Sequence, residues 1–199
     1  MRILIDFDYT LFDTHAMRDS LVAVLSTIGV TKEEYQQGEE TITAEGQYSL
    51  DKHIALLAEQ HQEELLFSLI DEVMRNTSPF LYDDAIDFLK RHKEHDLVVL
   101  SYGNKGFQRE KIFASGIQEY VQEIVVVDDN KIDALEEWTG EDIVSINDKG
   151  PEIDEMQKAY PDMKSIWIRR PLAKHVNKEC TLAFSEQKDL QFSVEELLA

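Results

Sequence analysis

Cysteine is almost absent. Cys180 is the only one in 199 residues, so no internal disulfide can form. No catalytic signature surrounds it, and it reads as a buried or neutral thiol. Long apolar runs are missing as well: no window approaches the length of a membrane span. The opening Met1-Arg2-Ile3-Leu4-Ile5 meets Asp6 after three apolar residues, too soon for the apolar stretch of a secretory leader. Without such a leader the sequon Asn76-Thr77-Ser78 has no weight. The six histidines show no His-x-x-x-His or Cys/His spacing, which argues against zinc. Bases are scarce: 20 Lys and Arg stand against 40 Asp and Glu, a formal charge of −20. That field repels nucleic acid and anionic lipid, so neither is expected as a partner. Most of the acids read as a solvated surface. An anionic substrate then needs a local cation cluster or a metal. These absences describe a cytoplasmic protein, with monomer and homodimer both open.

An apolar fraction of 43% is enough for a sizeable core. Arg2–Phe7 is a short β-branched and apolar run that reads as a buried strand. From about Ala16 to Thr77 the apolar residues recur at helical spacing, as in Leu21, Val24, Leu25 and Ile28, or Leu65, Leu66, Leu69, Ile70 and Val73. No strand is expected there. After Pro79, strands and helices alternate. Strands are expected at Leu97–Leu100, Glu123–Val127, Ile143–Ile146 and Ser165–Ile168. Helices are expected at Asp84–His92, Lys105–Ala114, Asp133–Trp138 and about Glu152–Ala159, with a short terminal helix capped at Ser193. Alternation of this kind implies an α/β fold, a doubly wound parallel sheet with helices on both faces. Ligands sit at the carboxyl ends of such strands. Four of the five expected strands end in potential chemistry: Asp6/Asp8, Ser101, Asp128/Asp129 with Lys131, and Asp148.

Asp6-Phe7-Asp8-Tyr9-Thr10 sets two carboxylates two residues apart where a strand gives way to a loop. A turn at Asp8 lets both face one pocket, where mutual repulsion makes one hold a cation or keep a proton. That arrangement suits a nucleophile paired with a general acid. A plain alternative is a pair of strand-end acids capping a helix. With the later strand ends, the sequence resembles the haloacid dehalogenase superfamily of phosphohydrolases. Its first motif is matched by Ile3-Leu4-Ile5-Asp6-Phe7-Asp8-Tyr9-Thr10, the second by Val98-Val99-Leu100-Ser101 with Tyr102 in the loop after it. The third is matched by Lys131 and the fourth by Ile143–Asp148 with Glu152. The chain departs from the family with Tyr9 and Asn147 where Gly is common, and with Glu152 where the later acid is often Asp.

The resemblance implies a three-layer Rossmannoid core, residues 1–13 and 80–199, with an all-helical cap at 14–79. It implies a Mg²⁺-dependent phosphate-monoester hydrolase acting on a small phosphorylated metabolite through an aspartyl-phosphate. Asp6 would be the nucleophile and Asp8 the acid/base, with Ser101 and Lys131 on the phosphoryl oxygens. Thr10 and Tyr102 would complete the substrate-binding set. Mg²⁺ would bind the Asp6 carboxylate, the Asp8 backbone carbonyl and Asp148. Glu152 would join only through water in that scheme, so its place is open, and Lys105 and Lys149 compete with Lys131. A sugar phosphomutase, a haloacid dehalogenase and a non-catalytic binding or regulatory module on the same fold are the alternatives. Asp8 argues against the dehalogenase. His15 reads as a solvated loop residue or a substrate contact. Arg169 and Arg170 read as surface arginines or as a positive field near the pocket, and Trp138 and Trp167 as packing residues.

Overall fold

The computed structural model describes residues 1–199. Its centre is a six-stranded sheet: β1 (Arg2–Ile5), β2 (Asp96–Tyr102), β3 (Glu123–Val127), β4 (Ile143–Asn147), β5 (Lys164–Ile168) and β6 (Ser185–Gln187). The spatial order is β3-β2-β1-β4-β5-β6, and every pairing is parallel. Parallel strands covered on both faces read as apolar runs, which is why the first five were visible in the sequence. β6 was not. Its Ser-Glu-Gln is a three-residue edge strand paired only to β5, with no apolar face to reveal it.

Alternation splits the sheet between two apolar layers. Ile3, Ile5, Leu97, Val99, Val144 and Ile146 join a cluster of 30 buried residues on one face. Leu4, Val98, Leu100 and Ile143 join a cluster of 8 on the other, with Leu135, Trp138 and Met156. Trp138 and Trp167 are both buried, as expected of packing residues.

From β1 to Met74 run four helices and no strand: α1 (Thr14–Ser26), α2 (Lys32–Ala44), α3 (Leu50–Leu57) and α4 (Glu63–Met74). Three of their starts are capped by local side chains. The Asp13 side chain accepts from Ala16 N–H, Thr31 and Glu34 form a capping box, and Ser49 accepts from Lys52 N–H. Leu21, Leu25, Leu66 and Ile70 extend the larger apolar cluster into these helices. Beyond them lie α5 (Ala85–Arg91), α6 (Lys105–Ala114), α7 (Ile132–Leu135), α8 (Gly150–Ala159) and α9 (Val194–Leu198), the last capped by the Ser193 side chain. No helix is long and apolar enough to cross a membrane.

The chain runs β1, β2, β3 in one direction across the sheet and then returns to place β4 on the free side of β1. The crevice beyond the carboxyl ends of β1 and β4 is therefore a topological switch point, where open α/β sheets bind ligands.

Candidate active site

Two acids flank this crevice. Asp6 follows β1 and is tied to β4 by its backbone N–H, 2.8 Å from Ile146 O. Asp148 follows β4, and its carbonyl accepts from Trp167 Nε1 at 2.9 Å. Both side chains are buried. Asp148 is pushed up to about 9 by burial first and then by the neighbouring charge of Asp6. Asp6 is raised as well, burial outweighing the attraction of Lys131. Asp148 Oδ2 is buried and has no partner.

Lys131, buried just ahead of α7, spans two acids: its Nζ lies 2.7 Å from Asp6 Oδ1 and 2.8 Å from Glu152 Oε2. Asn147 Nδ2 donates to the same Glu152 oxygen at 2.7 Å. Burial works against the charge on Glu152, but Lys131, Asn147 and Lys149 bring it down to about 2. Asp6, Lys131 and Glu152 thus form one buried ionic chain.

The loop after β1 turns Asp8 toward the same cavity. Phe7 O accepts from the N–H groups of Thr10, Leu11 and Phe12, and Phe7 and Phe12 stack with centroids 4.7 Å apart. Tyr9 takes φ +58°, the left-handed region that favours glycine. Its hydroxyl accepts from Arg18 Nη1 at 3.1 Å, which ties the loop to α1. The Asp8 carboxylate is fully engaged. Thr14 Oγ1 and Lys111 Nζ (2.5 Å) donate to Oδ1, and Gln108 Nε2 (2.7 Å) donates to Oδ2. Burial would raise its pKa, but Lys111 and these hydrogen bonds hold it below the usual carboxylate range. Lys111 itself is buried, its Nζ 5.5 Å from the Phe7 and Phe12 ring centroids and 5.2 Å from that of Phe107.

These groups open on one cavity of about 380 Å³, between the strand ends and α1 and α2. Arg18, Tyr35, Glu39 and Tyr48 form part of its wall on the helical side. Gln47, between α2 and α3, donates to Asp128 O, and the Tyr48 ring meets Phe107 edge-on at 5.4 Å. A larger depression of about 820 Å³ lies elsewhere, around Asp84 and Arg91. It faces no strand-end acid, and its main charges are spent on each other and on backbone carbonyls: Arg170 on Asp84, Arg91 on Leu190 O.

No family model matches the chain, and no curated protein matches it either. Solved structures do. A haloacid dehalogenase-like hydrolase from Burkholderia xenovorans LB400 superposes with a TM-score of 0.77 at 19% identity, over 100% of this chain and 98% of that one. The HAD-hydrolase YfnB of Bacillus subtilis, solved bound to magnesium, gives 0.62 at 21% identity over 98% and 96%. A Thermotoga maritima protein described as a β-phosphoglucomutase gives 0.64 at 14% over 99% and 96%. The chain has the haloacid dehalogenase-like fold.

Within this haloacid dehalogenase-like fold, Asp6, Asp8, Lys131 and Asp148 meet at the cavity, with Tyr102 on its wall. Lys105 turns to Asp128 at 3.1 Å, and Lys149 approaches Glu152 at 3.5 Å, so of the three candidate lysines it is Lys131 that touches Asp6. Ser101 and Thr10 are buried and do not line the cavity. The Thr10 hydroxyl has no partner, and what holds the loop there is its carbonyl, 3.0 Å from Arg170 Nη2. Arg170 is consequently neither a surface arginine nor part of the pocket; it is a buried clamp, bidentate on Asp84. His15 lies in α1, half exposed near Asp19, away from the cavity wall. Thr14, Gln108 and Lys111 were not foreseen. Gln108 and Lys111 lie one helical turn apart beside Arg109 and Glu110, and periodicity does not separate inward from outward polar residues there. The turn before α6 supplied a hint. Gly103 has φ +146°, and a Cβ on it would meet Gln108 Nε2 at 3.0 Å, so the glycine leaves room for Gln108 to reach Asp8.

Proposed function

We propose that this chain is a phosphate-monoester hydrolase of the cytoplasm that acts on a small phosphorylated metabolite. The observation that carries the reading is the facing pair of buried carboxyls, Asp6 and Asp148, with Lys131 on Asp6 and a second, ion-paired acid two residues beyond. Asp6 attacks phosphorus, forming an aspartyl-phosphate as the bond to the leaving alcohol breaks. Asp8 gives that alcohol its proton, then takes one from the water that releases phosphate and frees Asp6. Asp8 rests as a carboxylate, the form needed for the second half. For the first half it needs a proton, and Lys111, whose own pKa burial lowers, touches the same oxygen. Lys131 balances charge on the phosphoryl oxygens.

The donor set suits a hard divalent cation. Two carboxyls that burial and mutual repulsion leave reluctant to ionise, one with a partnerless oxygen, are relieved by positive charge. No group of three or more His, Cys, Asp or Glu side chains converges for a metal. The set we propose for Mg²⁺ needs only Asp6 and Asp148, with the Asp8 carbonyl as third protein ligand. An ion held there would supply positive charge toward the transferring phosphoryl group. Glu152, taken up by Lys131 and Asn147, serves to hold the lysine. Helices α1–α4, residues 14–79 with their connections, act as a cap that keeps water out and selects the alcohol.

The test is phosphate release from 4-nitrophenyl phosphate with and without Mg²⁺. Wild type should require the ion, and Asp6→Asn should lose about 10³-fold or more in kcat. Metal-independent turnover, halide release from a haloacid, or isomerisation of a sugar phosphate without phosphate release would overturn the reading.

A further inference from the structure

The stretch Arg169–Lys178, between β5 and β6, holds Arg169, Arg170, Lys174, His175 and Lys178 and no acid, in a chain with twice as many acids as bases. Its two arginines are satisfied, Arg169 by Glu186 at 2.9 Å and Arg170 by Asp84 at 2.6 Å. Lys174 and Lys178 form no ion pair, and Lys149 has only Glu152, whose other oxygen already holds Lys131 and Asn147. Lys149, Lys174 and His175 line the cavity that contains Asp6. Lys149 Nζ also stands 5.6 Å over the Tyr102 ring. His175 Nδ1 is buried without a partner. Burial first, and then the charges of Lys178, Lys149 and Lys174, press its pKa down to about 4 against the pull of Glu152. The other cations of the cavity are spent: Lys111 on Asp8, Lys131 on Asp6 and Glu152, Arg18 on Glu39.

We infer that Lys149, Lys174 and His175 form a second anion subsite, so that the substrate carries a carboxylate or phosphate group on its leaving alcohol besides the phosphate that is hydrolysed. The inference rests on the phosphatase reading of Asp6 for the word substrate, but the subsite is a matter of binding alone. A cluster of two lysines and a histidine facing a small cavity, with Glu152 as the one carboxylate paired to it and that acid already held by Lys131, is short of a counterion. An anion there would draw bonds from both ammonium groups and from the neutral imidazole, and would be recognised locally in spite of the molecule's negative field.

Three aryl esters decide it: 4-carboxyphenyl phosphate, its neutral isostere 4-carbamoylphenyl phosphate, and 1,4-phenylene bisphosphate. With Mg²⁺ present, kcat/KM for one or both of the anionic esters should exceed that of the amide by about tenfold or more, roughly 1.4 kcal/mol. The favoured ester tells carboxylate from phosphate. In the double variant Lys149→Gln, Lys174→Gln the ratio should fall toward one. Calorimetric binding of the same esters to Asp6→Asn protein with Mg²⁺ should show the same preference and the same loss. Turnover of all three esters without preference, or a preference that survives the double variant, overturns the subsite and leaves the phosphatase reading standing. Selective binding without turnover of any ester does the reverse.

Discussion

At Lys111 an ammonium sits 2.5 Å from Asp8 Oδ1 with three aromatic ring centroids within 5.5 Å, and neither charge has another partner of opposite sign. Removing one member of such a pair leaves the other desolvated and uncompensated, which costs more than the pair itself contributes. Lys111→Met should therefore lower stability by about 3 kcal/mol in urea unfolding, and adding Asp8→Asn should restore most of the loss. A single variant as stable as wild type would mean that water reaches Asp8. Legibility at this scale was uneven. Asp6, Asp8 and Asp148 stand at the ends of apolar strands, where sequence position alone betrays them, and Lys131 follows one closely. Lys111 stands within an amphipathic helix, where a buried lysine and a solvated one obey the same period. Thr10 and Ser101 show the opposite failure, since a polar residue at a strand end or in its loop can still turn its hydroxyl inward.

Among elements, the strands with apolar faces could be placed within one or two residues from the sequence, because burial on both faces demands a run of such residues. The polar β6 and the shortened α7, which passes into a 3₁₀ turn at Glu136–Trp138, obey no such demand. The start of α8 depends on a close approach that no local pattern announces. A Cβ on Gly150 would lie 2.6 Å from Glu179 O and 2.8 Å from Cys180 Cβ, so the helix and the stretch before β6 touch there without a side chain between them. Backbone cannot yield as a flexible side chain can. Gly150→Ala should raise helix propensity yet destabilise the fold by roughly 1–3 kcal/mol, as overpacking does. Thermal unfolding checks the sign, and a gain in Tm would refute the contact. Cys180 shares this corner; burial and the Asp154 hydrogen bond push its thiol up to about 11, so slow alkylation should accompany the folded state.

Over the whole molecule the formal charge of −20 was legible at once, and so was its limit, because a count does not say where the few bases gather. The fold concentrates several of them, Lys131, Lys111, Lys149 and Lys174, around one cavity and leaves acids to dominate the exterior. Self-repulsion of that exterior opposes the compact state and is relieved by screening. Raising NaCl from about 10 mM to about 200 mM, which shortens the Debye length from roughly 30 Å to below 10 Å, should raise Tm by a few degrees. A fall would mean that exposed ion pairs outweigh the net charge. The placement of β1 between β2 and β4 has a further consequence, one of timing. Arg2 finds its strand partners only at Asp96 and Ile143, so on a ribosome adding about 5–20 residues per second the strand waits of order ten seconds for both. The helices α1–α4 are complete and able to collapse locally during that interval, while the backbone leading to Asp6 stays unpaired. The segment that carries the candidate nucleophile is thus synthesised ahead of both its strand partners and is among the last to be enclosed.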